Sequence, residues 1–240
     1  LVLKPGADPA YVAWLHGLCA RVRAAGFRLP APVAALDGRL VVDGWTATAY
    51  AAGEPVHDDD RSTTSWLPVL AAGRALHAAL RDEQPPGPTA DHRWALADRA
   101  AWGGAPLDEG PRSAPLLARL RGLVLDEGLE PQLVHGDLSG NVLLAPGLEP
   151  AVIDVSPYWR PAAYADAVVA VDAALWWRTD PDILRLARPD GLDAGTWASL
   201  LARALAFRLL AFDEGRRDPA LVAEELPRYA EIVDLLVAGP

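Results

Sequence analysis

Between residues 132 and 155 the chain reads QLVHGDLSGNVLLAPGLEPAVIDV. Three short apolar runs, at 132–135, 142–145 and 151–155, alternate with polar turns. Runs this short, bounded by Gly, Pro, Asn and Asp, read as buried strands rather than as pieces of a helix. Helical spacing lies on both sides of them. The chain must therefore build a strand-rich pocket of structure inside a mainly helical region. Each strand also ends on chemistry. His135 ends the first and Asp137 follows it, Asn141 precedes the second, and Asp154 lies at the end of the third.

Strand ends hold side chains at a rim with little mobility. Asn and Asp are hard oxygen donors that suit Mg²⁺, which takes few protein ligands and keeps waters or phosphate oxygens. With two aspartates and one asparagine at this rim, one carboxylate remains to accept a proton from an attacking hydroxyl. An upstream lysine would complete the parts needed for phosphoryl transfer. Lys4 is the only lysine among 22 basic side chains. An ammonium is a point charge that guanidinium does not replace at a phosphate.

The flanking sequence supplies a small αβ segment and then helices. LVLKP reads as a strand. The next helix opens with Asp8 as N-cap and Pro9 at its first position, and Gly26 is its expected stop. Asp37-Gly38, between APVAAL and RLVVDGW, is read as a hairpin turn. TATAYAAGEP then runs extended. A helix is expected from about Pro68, a loop at QPPGPT, and helices in HRWALADRAAW and APLLARLRGLVLDEG. After the strands come PAAYADAVVAVDAALWWR and two long closing stretches, with Pro227 a candidate kink. Tyr158, Trp159 and Arg160 are expected to pack beneath the last helices or to cap the site.

The totals narrow the classes. A length of 240 residues with 51% apolar side chains is enough for a real core. A formal charge of −10 argues against a nucleic-acid partner. The single cysteine, Cys19, rules out an internal disulfide and a cysteine zinc cluster. It reads as a small buried side chain on a helix. No uninterrupted apolar run reaches the ~18 residues of a membrane helix, and no signal peptide is evident, so a cytoplasmic protein without a membrane partner is expected. His57, beside Asp58-Asp59-Asp60, reads as part of a solvated acidic loop.

VHGDLSGNVLL followed by VIDVSP resembles the aminoglycoside phosphotransferase and choline kinase family, a branch of the protein-kinase-like fold. That family carries an H-G-D-x-x-x-x-N-[IV]-L loop and an I-D-[FW] strand. The resemblance covers most of the chain. It implies an α+β, two-lobed fold with a truncated small αβ N-lobe at 1–52 and a mainly helical C-lobe at 53–240. It implies Asp137 as catalytic base, Asn141 and Asp154 as Mg²⁺ ligands, Lys4 on the α- and β-phosphates of ATP, and His135 as a brace of the loop. His77 resembles a helix-packing histidine of the family, and VVDGWTATAYAAGEP lies where the hinge between lobes would fall. The implied partners are a nucleotide and a small-molecule acceptor of unknown identity; oligomeric state stays open.

Three features depart from the family pattern. The spacing from Asp137 to Asn141 is one residue shorter than usual. The helix after Lys4 contains no glutamate, the first in the chain being Glu54, so the family's lysine–glutamate pair is not expected in its usual place. The sequence starts at Leu1, so the strands that cover the phosphates are expected to be missing. The leading expectation is an ATP-dependent phosphotransferase acting on a small-molecule hydroxyl. The alternative is a catalytically impaired relative that binds nucleotide or a partner. A metal-dependent hydrolase ranks third, for want of the His-rich ligand set such sites carry.

Overall fold

The structure is a computed structural model. It describes all residues except 7, 85–90, 105–106, 108–109, 111–112, 127, 215–218 and 240, and gives backbone alone at 213–214 and 219–223. All but the first residue of the expected QPPGPT loop lies outside the described residues. The chain forms two compact units that interleave in sequence. The first comprises Leu1–Asp58, Thr64–Gly87 and Pro131–Ala162; the second comprises Asp59–Thr63, Pro88–Glu130 and Ala163–Pro240.

In the first unit, β1 (Val2–Pro5) pairs antiparallel with β4 (Trp45–Thr48). The other edge of β4 is shared by two short strands, β2 (Pro32–Val33) against Thr48 and Ala47, and β3 (Val41–Val42) against Thr46 and Trp45. The tight hairpin is therefore at Asp43-Gly44, not at Asp37-Gly38. Both residues of that turn have positive φ, 51° and 78°, as a two-residue type I′ loop requires. At 37–38 only Gly38 does. There the chain makes a side loop, closed by Ala35 N–H to Arg39 O at 2.8 Å. It interrupts what is otherwise one edge strand.

Helix α1 (Pro9–Arg21) starts as expected, with the Asp8 carboxylate accepting from Ala10 N–H. It stops five residues before Gly26. Val22 is already extended, because residues 26–28 are captured elsewhere. Gly26 N–H donates to the Glu149 carboxylate, and Arg28 exchanges backbone hydrogen bonds with Pro150 and Val152 at 2.7 and 2.8 Å. Cys19 is half-buried on α1, which pushes its thiol up to about 11.

A 3-10 turn (Thr63–Trp66) leads into α2 (Leu67–Ala79), with Pro68 in the first turn. Strand β5 (Gln132–His135) pairs with β8 (Pro157–Arg160), and between them β6 (Val142–Leu143) pairs with β7 (Ala151–Val152). Tyr158, Trp159 and Arg160 belong to β8. Pro157 is tolerated as its first residue. Helix α2 packs on β5 and β7, over a core that includes Trp66, Leu70, Leu76, Leu133, Val134 and Val152.

The second unit is helical: α3 (Arg93–Ala101), α4 (Ala114–Arg121), α5 (Ala162–Leu175), α6 (Ile183–Leu186), α7 (Ala194–Glu214) and α8 (Pro219–Ala238). Helix α8 continues through Pro227. Helix α5 buries 12 of its 14 residues, Asp166 and Asp172 among them, so it is enclosed all round rather than amphipathic. Helix α7 packs on α3, α4 and α8. Among the described residues only its stretch Ala194–Phe212 is long and apolar enough to cross a membrane, and 78% of that stretch is buried inside the fold. Arg203 and Arg208 break it up in the sequence.

Candidate active site

Lys4, His135, Asp137, Asn141 and Asp154, singled out in the sequence, all lie in the first unit. Strand β5 delivers His135, which is completely buried. Its Nδ1 accepts two backbone N–H bonds, from Asp137 at 3.2 Å and Ser156 at 3.3 Å. Its Nε2 must then carry the proton, given to Ile153 O at 3.1 Å. Burial lowers its pKa from the usual histidine value, so the ring stays neutral. One imidazole thus joins the Asp137 loop to the segment that bears Asp154. His77 on α2 backs it. The His77 Nε2 accepts from His135 N–H at 3.1 Å, and burial pushes its own pKa down to about 3.

Gly136 follows the brace for a steric reason. A Cβ there would lie 2.3 Å from the ring of Tyr158 on β8, closer than real contacts allow. Gly73 of α2 makes similar room for Leu138, whose Cδ1 lies 2.5 Å from where a Cβ would be. Gly136→Ala is therefore expected to lower stability by about 1–3 kcal/mol, as overpacking does. In a Tyr158→Ala background the same change should cost much less. Denaturant unfolding of the four proteins measures both.

Asp137 is half-buried at the start of the loop. The loop turns at once: Asn141 N–H bonds Leu138 O at 2.9 Å, across Gly140 in a left-handed conformation (φ 79°). This is how the short spacing is accommodated. The Asn141 Nδ2 donates back to Asp137 O at 2.7 Å and to its carboxylate at 3.3 Å. The amide oxygen of Asn141 accepts no hydrogen bond from a described residue. Asn141 O takes Ile153 N–H at 2.9 Å, which sets the loop beside the residue preceding Asp154.

Asp154 itself has φ 50°, a conformation costing about 1–2 kcal/mol for a residue with a side chain. Tyr11, which sequence reasoning missed, helps hold it there. Its hydroxyl donates to Val155 O at 2.5 Å. Burial, and then the Asp154 charge, push that hydroxyl up to about 12, so it remains a donor. A tyrosine three residues into a helix carries no sequence signal for this role.

Lys4 on β1 makes an ion pair with Asp154. Sequence reasoning left the lysine without a carboxylate because α1 offers no glutamate. The carboxylate comes instead from 150 residues away. Both side chains remain partly exposed, at 42% and 49%. Among the described residues no three His, Cys, Asp or Glu side chains converge on one point. What the site offers a cation is the amide oxygen of Asn141 and the carboxylate of Asp154. That pair fits Mg²⁺, whose other positions are filled by water or phosphate. His57 sits exposed in its acidic loop, as expected.

No protein-family model matches the sequence, and no curated protein does. Solved structures do match. The chain aligns over 98% of its length with an aminoglycoside phosphotransferase from Alicyclobacillus acidocaldarius subsp. acidocaldarius DSM 446, at TM-score 0.64 and 16% identity, covering 84% of that chain. It aligns over 97% with aminoglycoside phosphotransferase APH(4)-Ia, at TM-score 0.61 and 17% identity, covering 84% of that chain. It aligns over 98% with the AMP-bound spectinomycin phosphotransferase APH(9)-Ia, at TM-score 0.57 and 13% identity, covering 84% of it. At such identities the likeness is one of fold, and the chain has the α+β, protein-kinase-like fold of the aminoglycoside phosphotransferases.

Proposed function

We propose that the protein is an ATP-dependent phosphotransferase acting on a hydroxyl of a small molecule. The observation that carries this reading is the rim at 137–154. A half-buried carboxylate and an amide oxygen left open for a hard cation lie on one loop, and a carboxylate paired with the sole lysine lies on the neighbouring segment that the same buried histidine holds to that loop. The fold supports it. Neighbours of this fold have been crystallised with AMP-PNP and hygromycin B, and with ADP and spectinomycin.

In this reading Asn141 and Asp154 hold Mg²⁺, which would neutralise charge on the transferred phosphoryl group. Asp137 takes the proton of the acceptor hydroxyl as its oxygen attacks phosphorus. His135 keeps the Asp137 backbone in place and, being neutral, adds no charge of its own. Lys4 binds phosphate oxygens of the nucleotide. ADP leaves with the electron pair of the broken phosphorus–oxygen bond.

A second reading is a nucleotide-binding protein without turnover. It is favoured by one observation: Lys4 is engaged by Asp154, with no helix glutamate to hold it in a phosphate-binding pose. ADP release measured across a panel of small alcohols, the aminoglycosides among them, separates the two. Nucleotide binding with no acceptor-dependent ADP would decide for the second.

A further inference from the structure

Lys4 and Asp154 are each other's only described charged partners, and each is needed for something else in the reading above. A lysine bound to a carboxylate is not bound to phosphate. A carboxylate already neutralised by an ammonium is a poor ligand for a second cation, because the two positive charges would sit within a few ångströms of each other. The strand and loop around Asp154 do not offer an easy alternative. Tyr11 fixes the next carbonyl, His135 fixes the backbone on either side, and the residue is held at positive φ. Lys4 is the mobile member, a flexible stem that is partly exposed near one end of a four-residue strand.

We propose that Lys4 is the resident counter-ion of Asp154, and that a divalent cation reaches this carboxylate only when nucleotide phosphates draw the ammonium away. The inference rests on the phosphotransferase reading for the identity of the incoming anion. Its consequence is coupling. Metal alone binds weakly, nucleotide supplies the negative charge that relocates Lys4, and each ligand raises the affinity of the other by the same factor. The lysine then has two partners in succession, and the helix glutamate absent from α1 is replaced by the metal-binding aspartate itself.

The sign of one effect tests this. Mn²⁺ is titrated into the nucleotide-free full chain and followed by electron paramagnetic resonance, for the native protein, Lys4→Met and Asp154→Asn. Lys4→Met should bind Mn²⁺ on the order of tenfold more tightly than the native protein, a change of about 1.4 kcal/mol, because the competing cation is gone. Asp154→Asn should lose this site. With AMP-PNP present, the native protein should gain Mn²⁺ affinity and Lys4→Met should gain much less. Equal or weaker Mn²⁺ binding by Lys4→Met, with an unchanged melting temperature, would overturn the proposal. A merely packing role for Lys4 does not tighten metal binding. The outcomes are separable from those of the functional reading. Tightened Mn²⁺ binding with no turnover on any acceptor sinks only the enzyme, and turnover without the Mn²⁺ effect sinks only the exchange.

Discussion

Asp137→Asn is expected to lower the phosphoryl-transfer rate by about 10²–10⁴-fold, the usual contribution of a positioned general base. The substitution keeps the shape of the side chain. The strongest local bond, from Asn141 Nδ2, goes to the Asp137 backbone carbonyl and survives. The His135 bond to the Asp137 backbone also survives. What is lost is the ability to accept a proton. The loss should therefore appear in kcat, with little change in KM for nucleotide. Steady-state kinetics on a folded variant measures both. A kcat within a few-fold of the native value would remove Asp137 from the mechanism.

The second large effect is on stability and lies in the helical unit. Asp172 on α5 is fully buried, and Arg208 on α7 is 3% exposed. The guanidinium meets both carboxylate oxygens, Nε at 2.8 Å and Nη2 at 2.6 Å. It also lies 4.7–5.4 Å from the ring centres of Phe207, Trp176 and Trp94. Arg208→Met keeps most of the apolar stem but takes from a buried carboxylate the guanidinium that meets both its oxygens. Breaking such a pair from one side costs about 3–5 kcal/mol. At roughly 2–4 °C per kcal/mol for a chain of this size, the melting temperature should fall by roughly 6–20 °C. The double variant Asp172→Asn, Arg208→Met should recover part of that loss, since no charge is then stranded. Thermal unfolding of the three proteins decides; an unchanged melting temperature in Arg208→Met would show that the charge is met in some other way.

Local chemistry was read correctly where it depends only on neighbours in sequence. The Asp8 cap, the first-turn prolines of α1 and α2, and the short strands at β5, β6 and β7 follow from side-chain periodicity and backbone restrictions that act over a few residues. The candidate rim residues Asp137, Asn141 and Asp154 could be picked out for the same reason, since each lies within two residues of such a strand. Where two local signals competed, only tertiary pairing chose between them. Asp37-Gly38 and Asp43-Gly44 look alike, and β4 selects the second by pairing directly with β3. Helix α1 could have run to Gly26, but the turn around Glu149 and Pro150 holds residues 26–28 in an extended path. Nothing in PYWR alternates, so β8 exists because β5 has an edge to pair with.

The sequence by itself determined which side chains are candidates for the chemistry, because their types and spacing are local facts. The tertiary structure alone decided whom they touch. Lys4 meets Asp154 across 150 residues, Tyr11 braces Val155 across 144, and Asp172 finds Arg208 across 36. A charge or a hydroxyl has no periodicity that names its partner. Such contacts form only after apolar burial has brought distant segments within a few ångströms, where a buried or half-buried polar group must find a partner or weaken the fold.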